Sequence, residues 1–204
     1  MPVKSRRAGA LGLCMLGTLL GAACAAEEAA QETTPPAETA NANQDPLARG
    51  AYLVSFGGCN DCHSPKVMTA AGPVPDSTRI LSGHRAGTDL PAIPAGAIGP
   101  EGWGALTNQE FTAWAGPWGV SFAANLTPDA TGLGSWTEEQ FIQTMRTGKH
   151  LGAGRALLPP MPWFGLAGLT DEDLRAIFAY LRSLQPVSNA VPAPIPPANP
   201  PAGR

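Results

Sequence analysis

Apolar residues recur at the spacing of an amphipathic helix in three stretches of this chain. The first stretch begins at Asp45, an N-cap followed by proline at the first helical position, and ends at the glycine pair 57–58. In the second, Thr137 and Gln140 have the spacing of a capping box, and Gly148 follows the last apolar position. We therefore predict a helix after each of these two caps.

A third helix is predicted near the end of the folded part. Thr170 is its N-cap, the acidic residues 171–173 suit the positive end of the helix dipole, and Leu169 can staple onto Leu174. Pro186 ends the element. These three helices predict a mainly α domain.

Between the first and second helices, residues 64–119 lack helical periodicity and are rich in proline and glycine. A structureless loop of that length is unusual in a compact domain, so we expect this segment to be an ordered insertion. Its extended pieces at 77–81 and 105–114 are candidates for short β-strands. Its tryptophans are expected to serve as packing, and they are Trp103, Trp114 and Trp118.

The N-terminal segment has the pattern of a secretory signal, so we predict a signal peptide over residues 1–24. A basic start precedes an apolar run from 8 to 23, which is shorter than the roughly twenty residues needed to span a bilayer. Two processing patterns remain open. The A-x-A pattern at 23–25 suits ordinary signal peptidase, whereas the residues before Cys24 resemble a bacterial lipobox, which would make Cys24 a lipid anchor.

Composition sets the domain boundaries. Residues 25–44 contain no large apolar side chain, and proline dominates the chain after 186. We therefore predict a disordered linker over 25–44, one folded domain over 45–185 and a disordered proline-rich tail over 186–204. The formal charge of −3, without a clustered basic stretch, argues against a nucleic-acid-binding surface.

The chemistry is concentrated in Cys59-Asn60-Asp61-Cys62-His63, because C-x-x-C-H is the pattern by which proteins attach a c-type haem. The two thiols can form thioethers with the two vinyl groups, and the adjacent imidazole then lies beneath the iron as an axial ligand. A thioredoxin-like dithiol would need a βαβ context, and a zinc site would need a second pair of Cys or His. We therefore predict one covalent haem on Cys59 and Cys62, with His63 as an axial iron ligand. We expect the insertion over residues 64–119 to wrap this haem.

A haem that only transfers electrons has both axial positions filled. The candidates for the second ligand downstream of the motif are Met68, His84, Met145, His150 and Met161. Met145 has the spacing of a core residue on the second helix. Met68 follows His63 by only five residues, which is barely enough chain to reach round the porphyrin.

Met161 lies between Pro160 and Pro162, in a stiff segment between two capped helices. A backbone fixed in this way suits holding one thioether toward a metal. We therefore predict Met161 as the second axial ligand. A bis-histidine site through His84 or His150 is the alternative, and otherwise both histidines are expected in exposed loops.

Several stretches resemble one family. They are CNDCH at 59–63, SFAANLTPD at 121–129, GSWTEE at 134–139, PMPW at 160–163 and LTDEDL at 169–174. They are similar to the bacterial class I type c cytochromes, most of all to haem domains in cytochrome subunits of periplasmic and membrane-bound dehydrogenases. The resemblance implies a cytochrome c-like helical domain around one haem c, with these residues carried over as thioether and axial ligands: Cys59, Cys62, His63 and Met161.

The resemblance has two further implications. Many such proteins contain two or three haem motifs, whereas this chain has one, so a relay of several haems within it is excluded. Gly72-Pro73 also resembles the Gly-Pro whose carbonyl accepts the second N–H of the iron-bound imidazole in these cytochromes, although a plain turn is the alternative.

Together these features predict an exported, periplasmic electron carrier without substrate chemistry of its own, anchored to a membrane only if Cys24 is lipidated. Its expected partners are redox proteins: a dehydrogenase, an oxidase or another cytochrome. Two alternatives stay open. The domain could be the electron-exit subunit of a dehydrogenase complex, or a haem-based sensor in which Met161 gives way to a small ligand.

Overall fold

The structure is a computed structural model, and we describe residues 45–197 of it. The predicted signal peptide over 1–24, the processing at Cys24 and the linker over 25–44 lie outside these residues. Among the described residues, none of the helices has the length and apolar character required to cross a bilayer.

Five α-helices and five short strands make up the described domain. The helices are α1 (Pro46–Phe56), α2 (Cys59–His63), α3 (Glu138–Thr147), α4 (Trp163–Leu166) and α5 (Asp171–Ser183), with a 3-10 turn at His150–Gly152. The strands are β1 (Lys66–Thr69), β2 (Gly72–Pro75), β3 (Leu106–Thr107), β4 (Ala113–Gly116) and β5 (Gly119–Phe122).

The caps inferred from the sequence are confirmed. The Asp45 side chain accepts from the N–H of Leu47 at the start of α1, at 3.0 Å. Both bonds of the capping box between Thr137 and Gln140 are present, and Gly148 ends α3 in the left-handed conformation. Helices α1 and α3 therefore begin and end where local chemistry places them. Helix α5 likewise begins after its cap Thr170, whose side chain accepts from the N–H of Asp173.

Helices α1 and α5 cross at close range, and their packed faces form part of the core. Gly50 makes the crossing close, because a Cβ at that position would collide with the carbonyl group of Ala176. Arg49 holds the same contact with a bidentate ion pair to Asp173, at 2.8 and 3.2 Å. Buried residues from α1, α3 and α5 fill the core, including Leu53, Val54, Phe141, Ile142, Met145, Leu174, Ile177, Phe178 and Leu181.

The insertion contains two small sheets. Strands β1 and β2 form an antiparallel hairpin, and β3, β4 and β5 form a three-stranded antiparallel sheet in that order. Part of the predicted piece at 105–114 is extended, because Leu106–Thr107 pairs with β4. The predicted strand at 77–81 is wrong: this piece forms turns, because the Asp76 side chain accepts from the N–H of Thr78 and diverts the backbone.

The tryptophans of the insertion differ in burial. Trp103 is 70% exposed, so it packs little against the described residues. It lies in a loop rich in glycine and proline. Trp114 and Trp118 are half-buried on and beside β4, and Trp118 covers Gly116.

The prediction of a disordered tail from 186 onward is wrong for the residues up to 197. Asn189 is buried, and its side-chain amide donates to the carbonyls of Ser82 and His84 at 2.7 and 2.8 Å. Ile195 exchanges two backbone hydrogen bonds with Val120, at 2.7 and 2.9 Å. The prediction counted apolar residues, whereas this segment is held by polar and backbone bonds. Residues 198–204 lie outside the described range.

We predict that Asn189→Ala lowers the free energy of unfolding by about 1–3 kcal/mol, because buried backbone groups would lose their partners. Those groups are the two carbonyls above and the N–H of Ala86, which donates to the Asn189 side chain at 3.0 Å. Urea denaturation measures the change. Ser188→Ala, at the exposed neighbouring position, is the control, and equal stabilities of the two variants would contradict the prediction.

Candidate functional site

The C-x-x-C-H motif forms a short helix of its own. Gly58, in the left-handed conformation with φ of 66°, turns the chain from α1 into α2. Cys59 and Cys62 lie three residues apart on α2, so their side chains share one face of the helix. Both side chains are partly buried.

Burial raises the pKa of both thiols, that of Cys59 to about 11. Redox-active C-x-x-C pairs depend on a thiol whose pKa is lowered, because the thiolate is the nucleophile. The environment of Cys59 and Cys62 has the opposite effect. It therefore argues against the dithiol interpretation.

Lys66 closes the C-terminal end of α2. Its Nζ donates to the carbonyls of Asn60 and Asp61 at 2.9 Å each, and to that of Ser64 at 2.5 Å. Only 8% of this lysine is exposed. Burial lowers its pKa, while the three carbonyls satisfy all three donors of its ammonium group. A fixed positive charge therefore lies at the end of the helix that contains the haem motif.

The His63 imidazole is held in one orientation by the backbone. Its Nδ1 donates to the carbonyl of Ala124 at 2.8 Å, and the His63 carbonyl accepts from the N–H of Gly83 at 2.7 Å. Because a carbonyl can only accept, this bond fixes the tautomer and leaves the lone pair on Nε2. Burial lowers the pKa of His63, which favours the neutral ring that a metal requires.

This geometry corrects the role suggested for Gly72-Pro73. That dipeptide lies in β2, paired with β1, and the carbonyl that accepts from the imidazole belongs to Ala124. The insertion explains the difference. Its first Gly-Pro forms part of the β1–β2 hairpin, so the carbonyl that accepts from His63 comes from the segment after β5. Ala124 lies in SFAANLTPD, one of the stretches that carry the resemblance to the cytochromes.

The candidates for the second ligand have different surroundings. Met161 is partly buried, lies in a turn closed by its N–H to the carbonyl of Leu158 at 3.3 Å, and packs against the core. Met145 is a core residue with 7% exposure, as predicted, and Met68 is 64% exposed on β1.

The alternative ligand His84 is not in an exposed loop, so that expectation is wrong. It is 1% exposed, its Nδ1 is 2.9 Å from the Thr112 hydroxyl, and its ring packs on Phe122. Polar and aromatic neighbours from the three-stranded sheet explain its burial. His150 is partly buried beside Trp136, with ring centroids 5.0 Å apart.

One short segment links the two predicted ligand regions. The Ser121 hydroxyl donates to the carbonyl of Pro159, two residues before Met161, at 2.5 Å. Ala124, three residues after Ser121, accepts from His63. Three residues span at most about 11 Å of chain, so the structure brings both regions to the same part of the domain.

The sequence model of the family described as Cytochrome c matches residues 47–185. This chain belongs to the cytochrome c family. Its cofactor is accordingly a covalent haem c.

Individual relatives of this cytochrome are larger proteins. It is 28% identical to the gluconate 2-dehydrogenase cytochrome c subunit of Pantoea cypripedii over 86% of this chain and 29% of the relative. It is 37% identical to the fructose dehydrogenase cytochrome subunit of Gluconobacter japonicus over 37% of this chain and 16% of the relative. It is 35% identical to the cytochrome c subunit of the quinone-dependent alcohol dehydrogenase of Gluconobacter oxydans over 38% of this chain and 16% of the relative. The chain thus spans less than a third of the length of these curated relatives.

The residues of this cytochrome fit the haem. The two Cys side chains share one helix face, and the His63 imidazole has its Nδ1 bonded to a carbonyl, as histidine ligands of metals almost always have. Across residues 45–197, no cluster of three or more His, Cys, Asp or Glu side chains offers a competing metal site.

Sequence reasoning missed three groups of this site: Lys66, Ser121 and the Ala124 carbonyl. Lys66 had a readable signal, since a lysine three residues after a short helix can reach the free carbonyls at its end. The other two depend on how the inserted sheet returns to the motif, which no local pattern encodes.

We predict that Lys66→Met lowers the midpoint potential of this cytochrome, because a nearby cation favours ferrous over ferric iron. A tenfold change in the reduction equilibrium corresponds to about 59 mV, and we expect a decrease on the order of tens of millivolts. Spectroelectrochemical titration measures it. Lys149→Met removes the same charge at an exposed site and is the control. A shift of the same size in both variants would contradict the role of the buried ammonium.

Proposed function

We propose that this cytochrome carries single electrons between redox partners through one haem. Cys59 and Cys62 hold the haem as thioethers, and His63 and Met161 are the axial iron ligands. The bound haem supplies an iron that changes between ferric and ferrous states by one electron. The observation that supports the proposal most directly is the hydrogen bond from His63 Nδ1 to the Ala124 carbonyl, which prepares Nε2 for a metal.

The protein's part is to hold both ligands still. Because the carbonyl of Ala124 fixes the imidazole ring, the proximal ligand has little freedom to rotate or to take up a proton. A thioether ligand from Met161 favours the reduced state and so raises the potential. If His63 and Met161 both bind the iron, they would leave no open position for a small ligand, which suits a carrier.

Packing supports Met161 over the other candidates. It lies against the core in a turn that is bonded to β5, whereas Met145 is enclosed among core side chains and Met68 faces solvent. His84 uses one ring nitrogen on Thr112 within the sheet.

The partners are proposed from the relatives. Three of them are named as cytochrome subunits of a gluconate, a fructose and an alcohol dehydrogenase. We propose a dehydrogenase, an oxidase or another cytochrome as electron donor or acceptor, with any substrate chemistry in the partner rather than in this chain. The alternative is that this cytochrome is the electron-exit subunit of a dehydrogenase complex. Co-purification with a large catalytic subunit would favour that alternative over a free carrier.

The location follows from the predicted export signal, so we propose the periplasm. An ordinary signal cleavage at 23–25 would release the protein, whereas lipidation at Cys24 would tether it to a membrane. Mass spectrometry of the mature protein would give the N-terminus and the number of haems together.

We predict that Met161→Ala abolishes the charge-transfer absorption of methionine-ligated ferric haem and lowers the midpoint potential, because the iron loses its sulfur ligand. Absorption spectroscopy and redox titration measure the two effects. Met68→Ala, at an exposed site, is the control and should leave both unchanged. The assignment fails if the absorption persists without Met161.

The rate of carbon monoxide binding to the ferrous protein distinguishes an electron carrier from a haem-based sensor. A ferrous haem whose methionine stays bound resists carbon monoxide, whereas a sensor with a labile ligand binds it rapidly. We expect the unmodified cytochrome to resist and Met161→Ala to bind quickly. Rapid binding by the unmodified protein would favour the sensor.

A further inference from the structure

Ser121 is a buried hydroxyl at the centre of β5, with 8% exposure. Its Oγ is 2.5 Å from the carbonyl of Pro159 and 3.4 Å from that of Trp114, and it accepts from Nε1 of Trp118 at 3.3 Å. A serine hydroxyl has one proton. Because the distance to the Pro159 carbonyl is much shorter, the Ser121 hydroxyl donates to that carbonyl.

The Pro159 carbonyl belongs to the segment that presents Met161. Prolines at 159, 160 and 162 have no N–H, so this segment can donate few backbone hydrogen bonds. Within it, the N–H of Met161 closes a turn onto Leu158 at 3.3 Å. That bond is local, whereas the bond from Ser121 connects the segment to an element 38 residues away.

The donor strand is itself firmly held. On one side β5 pairs with β4, and on the other Val120 pairs with Ile195 of the C-terminal segment. Beyond β5, Ala123 donates to Thr112 at 2.8 Å before Ala124 accepts from His63. Ser121 is therefore mounted on a rigid support whose other end orients the proximal imidazole.

We propose that Ser121 is a positioning residue for the Met161 ligand: through the Pro159 carbonyl it holds the thioether at the distal position. The inference rests on the proposed assignment of Met161 as the distal ligand. Trp118 contributes by donating to the same hydroxyl, which polarises the hydrogen bond that Ser121 makes. The tryptophan thus has a role beyond packing.

The consequence is a weaker methionine ligand when the hydroxyl is removed. A single hydrogen bond contributes about 0.5–1.5 kcal/mol, which corresponds to an increase of about two- to tenfold in the population with methionine dissociated. Ser121→Ala should therefore lose the charge-transfer absorption at a lower temperature than the unmodified protein. Its ferrous form should bind carbon monoxide about two- to tenfold faster. Ser121→Thr, which keeps the hydroxyl, should restore both.

The matched control is Ser82→Ala. Ser82 is also buried, and its hydroxyl also donates to a backbone carbonyl, that of Arg79 at 2.9 Å. A merely structural loss at either serine lowers the unfolding temperature, measured by far-ultraviolet circular dichroism, and lowers equally the temperature at which the charge-transfer absorption disappears. The inference requires that, in Ser121→Ala but not in Ser82→Ala, the charge-transfer absorption disappears at a temperature well below the unfolding temperature.

Trp118→Phe is a milder variant that keeps the hydroxyl and removes its donor. It should change ligand loss in the same direction by a smaller amount, and it provides the test if Ser121→Ala does not fold. Equal behaviour of the Ser121 and Ser82 variants, or of Trp118→Phe and the unmodified protein, would overturn the inference. Persistence of the absorption in Met161→Ala would instead overturn the ligand assignment, so the two failures are distinguishable.

Discussion

The hydrogen bond from the His63 imidazole to the Ala124 carbonyl is the interaction on which the arrangement of this cytochrome depends. It decides which ring nitrogen is free for iron, and it joins the haem motif to a segment 61 residues away. Helices α1, α3 and α5 enclose the core, and the segment that follows β5 supplies the carbonyl. Without that bond, the motif would remain a short helix with no orientation imposed on its histidine.

Lys66 adds an electrostatic constraint at the same place. The buried ammonium donates to three carbonyls, and salt screens its charge less than it screens the charge of an exposed lysine. The end of the helix that contains the haem motif therefore has both a fixed backbone geometry and a positive charge beside it.

The sequence was sufficient wherever structure is set locally. The caps at Asp45, Thr137 and Thr170 were readable because each depends on residues within one turn. The haem motif was readable because five adjacent residues contain its chemistry. The turns at 77–81 could not be predicted in this way, because one Asp side chain turns the backbone of a stretch whose composition suits a strand.

The rest of the site could not be predicted from local patterns because it depends on contacts between distant residues, such as Ser121 with Pro159. The prediction of a disordered tail was wrong for a related reason. It counted apolar residues, and such a count does not include the Asn189 side-chain amide, which donates to two carbonyls of the insertion.

That amide also has a consequence for the order in which the domain can be completed. Asn189 follows His63 by 189 − 63 = 126 residues, so the haem motif is synthesised, and in an exported chain crosses the membrane, well before the segment that fastens the insertion. The surroundings of the histidine stay incomplete until that later segment arrives. We therefore expect an interval in which the two thiols are accessible to the attachment machinery, and the arrival of the C-terminal segment ends it.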